Sequence, residues 1–170
     1  LRTRGAGDAM IFRGEDKVRR RMSWAELNAA VARLHRAFRA AGVQAGDRIC
    51  AIVPNMPEAI VAMLATASIG AIWSSCSPDF GVQGVLDRFG QIEPKVLFCA
   101  DGYLYSGKEY DCQEKTKQIL EKLPSVQECV VVDYLGAPAT AGVGWSAATR
   151  SASVTPARTS ACTRVARCCT

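Results

Sequence analysis

Asp79-Phe80-Gly81 is a triplet with the residue types of a chemical site. In protein kinases an Asp-Phe-Gly triplet holds magnesium, but that chemistry also needs a glycine-rich loop, a strand lysine and a His-Arg-Asp loop. His35 is the sole histidine and His-Arg-Asp does not occur, so the kinase reading is excluded. The other phosphate-cradling patterns are missing too: there is no Gly-x-x-x-x-Gly-Lys-[Ser/Thr], and no Gly-x-Gly-x-x-Gly between a strand and a helix. His35 has no Ser, Cys or Asp constellation beside it and reads as a structural or surface residue. Eight cysteines stand at 50, 76, 99, 112, 129, 162, 168 and 169, none in a Cys-x-x-Cys pair, so zinc spacing is absent. Cys50, Cys99 and Cys129 lie in or beside apolar runs, as reduced, buried thiols of a cytosolic protein would. No catalytic residue and no metal ligand is assigned.

The elements that would position these residues alternate in type. Residues 9–12 (AMIF) and 18–24 (VRRRMSW) are strand signals. Ser23-x-x-Glu26 is a capping box, and Trp24, Leu27, Val31, Leu34 and Phe38 follow at helical spacing, with Gly42 as the stop. Arg33, Arg36 and Arg39 share the opposite, solvated face. RICAIV (48–53) reads as a buried strand. Asn55 and Pro57 open an apolar helix that runs to Gly70. AIWSS (71–75), a helix from Val82 to Phe89, KVLFC (95–99), a charged helix from Asp111 to Lys122 and ECVVVD (128–133) complete the series. Strands alternating with helices imply an α/β fold, largely parallel in its sheet, with helices on both faces.

Charge and composition divide the chain into residues 1–135 and 136–170. The first part carries 17 basic and 16 acidic residues; the second has four arginines, no acid and no apolar periodicity. The tail cannot bury enough apolar area to offset chain entropy, so disorder is expected there. Its change of character fits an alternative exon, a read-through or an out-of-frame translation. Four scattered arginines do not make a nucleic-acid surface. No run of roughly 20 apolar residues occurs, so a spanning helix is not expected, and the first residues lack a signal-peptide run.

Between Ala41 and Tyr110 the composite Gly-Asp-Arg…Pro-Asn…Glu…Ile-Gly-Ala cadence resembles the acyl-adenylate-forming ligases. The narrower stretch IGAIWSSCSPDFGVQGVLDRFGQIEPKVLF, with Tyr105-x-Gly107-Lys108-Glu109 after it, is similar to the acetoacetyl-CoA synthetases (acetoacetate–CoA ligases). The resemblance runs over roughly residues 9–135. It implies the N-terminal fragment of an adenylate-forming domain.

The resemblance further implies a parent enzyme that joins acetoacetate to ATP, with magnesium, and then lets the thiol of coenzyme A displace AMP. Both steps develop negative charge and need amides, cations or magnesium aimed at it. The family's phosphate loop, ribose-binding acids and mobile-domain lysine are absent from this sequence, so the chain alone is expected not to ligate. Two parts of the family's coenzyme A site have matching positions: Ser77, Pro78 and Asp79 as a wall, and Lys108 as a cation toward a phosphate. Tyr105 stands where the family carries an arginine. A simpler reading stands beside each. Ser77-Pro78-Asp79 is also a strand-to-helix connection with Asp79 as N-cap, and Lys108 is also an ordinary exposed lysine. Asp87 and Arg88 read as structural ion-pair residues. A second function class is a truncated, non-catalytic module that binds coenzyme A or pairs with the full-length enzyme.

Overall fold

The computed structural model describes residues 4, 7–15 and 18–136 and the backbone of 145–149. An antiparallel hairpin comes first, β1 (Asp8–Gly14) with β2 (Val18–Ser23). Ser23 caps α1 (Trp24–Ala40) through the expected capping box: its Oγ accepts from the Glu26 amide, and Glu26 accepts from the Ser23 amide at 2.7 Å. Gly42, at φ 72°, turns the chain after α1. There follow β3 (Arg48–Ile52), α2 (Pro57–Ile69), β4 (Ile72–Cys76), α3 (Val82–Phe89) and β5 (Val96–Ala100). A second hairpin, β6 (Gly102–Tyr105) and β7 (Lys108–Asp111), precedes α4 (Gln113–Lys122), β8 (Glu128–Val132) and β9 (Trp145–Thr149).

The sheet order is β4-β3-β5-β8-β9. The first four strands are mutually parallel and β9 pairs antiparallel with β8. The alternation of side chains along each strand creates two cores. Ile49, Ala51, Val96 and Phe98 face α1 and α2, with Leu27, Val31, Phe38, Val61 and Ala65. Cys50, Ile52, Leu97 and Cys99 face α3 and α4, with Val85, Phe89, Ile119 and Leu123. Burial on both faces explains why the strands read as continuous apolar runs rather than as alternating ones.

Three expectations need correction. Residues 102–111 form a hairpin, so the last helix begins at Gln113 and not at Asp111. The two residues linking the strands, Ser106 and Gly107, both have positive φ (52° and 75°), the requirement of a tight two-residue turn. Within the tail, Trp145–Thr149 is a strand. Pairing at a sheet edge satisfies backbone groups whatever the side chains, so it needs no apolar periodicity. The expectation for 137–144 and 150–170, tail cysteines included, lies outside the described residues. Finally, Asp87 and Arg88 make no ion pair among the described residues. Asp87 accepts from Gln83 at 2.7 Å, and Arg88 donates to the Gly84 carbonyl at 2.8 Å while lying 4.0 Å from the Phe80 ring centre.

Candidate functional site

The strand order reverses between β3 and β5, because the chain steps from β3 outward to β4 and then crosses to the other side. Open α/β sheets bind ligands beyond the carboxyl ends of their strands near such a reversal. A cleft of about 370 Å³ lies beyond the carboxyl ends of β3 and β4. Val53, Pro54 and Asn55 line it after β3, Ser75 and Cys76 at the end of β4 with Ser77 to Asp79 after it, and Tyr103 to Tyr105 on the β6–β7 hairpin.

The structure brings Ser77, Pro78 and Asp79 together as one wall. Ser77 Oγ donates to Asp79 Oδ2 at 2.9 Å, and the Asp79 amide donates back to Ser77 Oγ at 3.4 Å. Pro78 is buried, and its carbonyl accepts from the Lys115 ammonium of α4. Asp79 is not the helix cap. Gly81 occupies the N-cap of α3 and makes no side-chain cap bond. Asp79 lies two residues before it, and its carboxylate is engaged by Ser77 and by the Tyr103 hydroxyl.

The facing wall is the hairpin. Tyr103 and Tyr110 stack across it at 5.1 Å between ring centres. Gly102 begins it where no side chain fits: a Cβ would lie 2.5 Å from the Tyr110 carbonyl oxygen and would strike Leu135. Burial first, and the hydrogen bond to Asp79 next, push the Tyr103 hydroxyl up to about 12. Lys108 is exposed and does not line the cleft. It pairs across the hairpin with Tyr105, which does.

The remaining reactive groups are arranged for structure. Burial raises the thiols of Cys50 and Cys76 to about 12 and about 11; for Cys76, Arg88 and Lys115 oppose the rise. Both are neutral thiols near pH 7, not nucleophilic thiolates. His35 Nδ1 lies 2.8 Å from Ser68 Oγ, joining α1 to α2 outside the cleft. Asp101, at the end of β5, is the functional-looking acid that sequence reasoning passed over. Its Oδ1 accepts from the amides of Gly102 (2.8 Å), Tyr134 (2.7 Å) and Leu135 (3.1 Å), so it ties the chain after β8 to the start of the hairpin. Among the described residues no group of three or more His, Cys, Asp or Glu could hold a metal ion. No helix among them is long and apolar enough to cross a membrane.

The AMP-binding enzyme family model matches residues 2–165. The chain belongs to the AMP-binding enzyme family. The match continues past residue 135, where the resemblance read from the sequence stops. The chain is 59% identical over 136 residues to acetoacetyl-coenzyme A synthetase of Rhizobium meliloti, covering 80% of this chain and 21% of that one. It is 42% identical over 124 residues to a malonamoyl-CoA synthetase of Penicillium aethiopicum, covering 73% of this chain and 17% of that one. The solved acetoacetyl-CoA synthetase from Streptomyces lividans superposes with a TM-score of 0.74 at 44% identity, over 77% of this chain and 20% of that one. The chain is thus a homologue of the acetoacetyl-CoA synthetases that spans about a fifth of their length.

Proposed function

We propose that this chain is the N-terminal part of a cytosolic acetoacetate–CoA ligase and that its cleft is a wall of the coenzyme A site. The parent reaction converts acetoacetate, ATP and coenzyme A to acetoacetyl-CoA, AMP and pyrophosphate. The observation that carries the reading is the convergence of Ser77-Pro78-Asp79 and the Tyr103–Tyr105 strand on one cleft at the carboxyl end of a parallel sheet. Such a cleft suits an elongated ligand: apolar edges from Val53, Pro54 and Ala59, hydroxyls and a carboxylate from the turn, and a cation, Lys108, at the outer end of the hairpin. Lys108 would act as a point charge toward a phosphate. Lys108 is not a lining residue but pairs with Tyr105, which is, so that contact would lie at the rim.

Activation of acetoacetate by ATP is assigned to the parent and not to this chain, whose sequence has no phosphate loop. A malonamoyl-CoA relative matches 73% of the chain, which supports placing the choice of acyl group elsewhere in the parent. The purified chain is expected to produce no AMP from ATP with acetoacetate and coenzyme A present. Robust acetoacetate-dependent AMP formation would contradict this assignment. On the alternative reading, the chain serves as a non-catalytic module that binds coenzyme A or a full-length subunit. The same cleft favours it, and co-purification with full-length enzyme tests the second half.

A further inference from the structure

We infer that Glu15, at the tip of the N-terminal hairpin, is a positioning residue for the outer wall of the cleft. The inference rests on the reading of that cleft as a coenzyme A site. The amides of Ser106 and Gly107 donate to its two carboxylate oxygens, at 2.9 Å to Oε1 and 2.8 Å to Oε2. The contact joins residues 91 and 92 positions apart in sequence.

The chemistry of the turn explains why the contact matters. In a two-residue hairpin turn the central amides point away from the ladder and have no strand partner. Ser106 also sits at φ 52°, a conformation that a residue with a Cβ adopts reluctantly. A carboxylate that accepts both amides stabilises that conformation with two charge-assisted hydrogen bonds. The residues on either side of the turn are Tyr105, which lines the cleft, and Lys108, its cross-strand partner. Fixing Ser106 and Gly107 therefore fixes where the cleft's rim cation stands. Glu15 is itself at φ 44°, just after Gly14, and Gly14 has no room for a Cβ against the Tyr134 hydroxyl. The N-terminal hairpin therefore packs closely against the chain after β8 beside its tip. On this inference Glu15 acts on the cleft through the turn and not by touching the ligand.

The test compares the full 170-residue chain with its Glu15→Gln and Glu15→Asp variants. Amide hydrogen exchange at Ser106 and Gly107 is read by NMR, and affinity is measured for coenzyme A and for 3′-dephospho-coenzyme A. Glu15→Gln leaves one amide facing a donor, and Glu15→Asp is too short to span both. In both variants the two turn amides should exchange faster while the amides of β3 and β5 keep their protection. Coenzyme A affinity should fall about tenfold, the loss expected for a charge-assisted hydrogen bond, with little change for the dephospho form. That selective loss is a signature that general destabilisation would not give. Wild-type exchange at the turn amides in either variant, or unchanged coenzyme A affinity, overturns the inference. If the wild-type chain binds neither ligand, the coenzyme A reading of the cleft fails and the positioning role falls with it. Faster turn exchange would then report only a structural clasp.

Discussion

Lys115 of α4 donates its ammonium to the carbonyl of Pro78 in the turn after β4. The same ammonium lies 6.0 Å from the ring centre of Tyr103. One cation therefore contacts both walls of the cleft. Replacing it with an uncharged chain of similar length, Lys115→Met, removes a donor to a buried peptide. The cost should be about 1–3 kcal/mol. Chemical denaturation measures it, and amide exchange should rise at Asp79 and Phe80 before it rises in β5.

The Arg20–Glu58 pair ties the N-terminal hairpin to α2 and should outweigh its neighbour. The Glu58 side chain is 2% exposed, and its Oε2 has no hydrogen-bond partner among the described residues. Arg20→Ala would strand a buried carboxylate, at about 3 kcal/mol or more. Arg21 pairs with Asp8 in a 2.6 Å contact, but its side chain is 72% exposed. Arg21→Ala should lower stability by less than about 1 kcal/mol. Urea unfolding of the two variants gives the comparison, and equal effects would contradict the ranking.

Tyr103 supplies a titration prediction. Its hydroxyl is pushed up to about 12 by burial and by Asp79, against an ordinary value of 10.0. The neutral form is favoured in the folded chain. Its stabilising contribution is complete below pH 10.0 and disappears as pH rises toward about 12. Burial also raises the Tyr134 hydroxyl, so ultraviolet titration of tyrosinate should show late ionisation at both, and Tyr103→Phe should remove the step near pH 12. Asp79→Asn should shift the step downward.

The thiols give a chemical readout of the fold. With Cys50 raised to about 12 and Cys76 to about 11, alkylation of the native chain at pH 8 should be slow at both. Cys76, less buried, should react before Cys50. Unfolding returns both toward 9.0 and should bring rapid labelling, mapped by mass spectrometry.

The parallel sheet and its helices were legible because the central strands β3 and β5 are buried on both faces and the helices carry boundary signals. Ser23 with Glu26, Pro57 with Gly70, and the Val82–Phe89 helix ending at Gly90 are examples. The hairpin at 102–111 was not legible as structure, since its tyrosines and charges read as a loop. The signal that could have revealed it is Ser106-Gly107 between short runs with tyrosines at alternate positions. The wall residues Ser77, Pro78 and Asp79 were reachable through family resemblance. The use of Asp79 was not, because its partner Tyr103 lies 24 positions away in sequence and beyond another strand. Asp101 and Glu15 were missed for the same reason. A carboxylate that binds distant amides leaves no local pattern.

The central claim is that the cleft takes coenzyme A. Titrating coenzyme A into the isotopically labelled chain, and following amide shifts, tests it most directly. The account predicts saturable shifts clustered at Ser77, Asp79, Tyr103, Tyr105 and Lys108, with Lys108→Ala weakening binding of coenzyme A more than of its 3′-dephospho form. No saturable shift, or shifts confined to surfaces away from these residues, would contradict it.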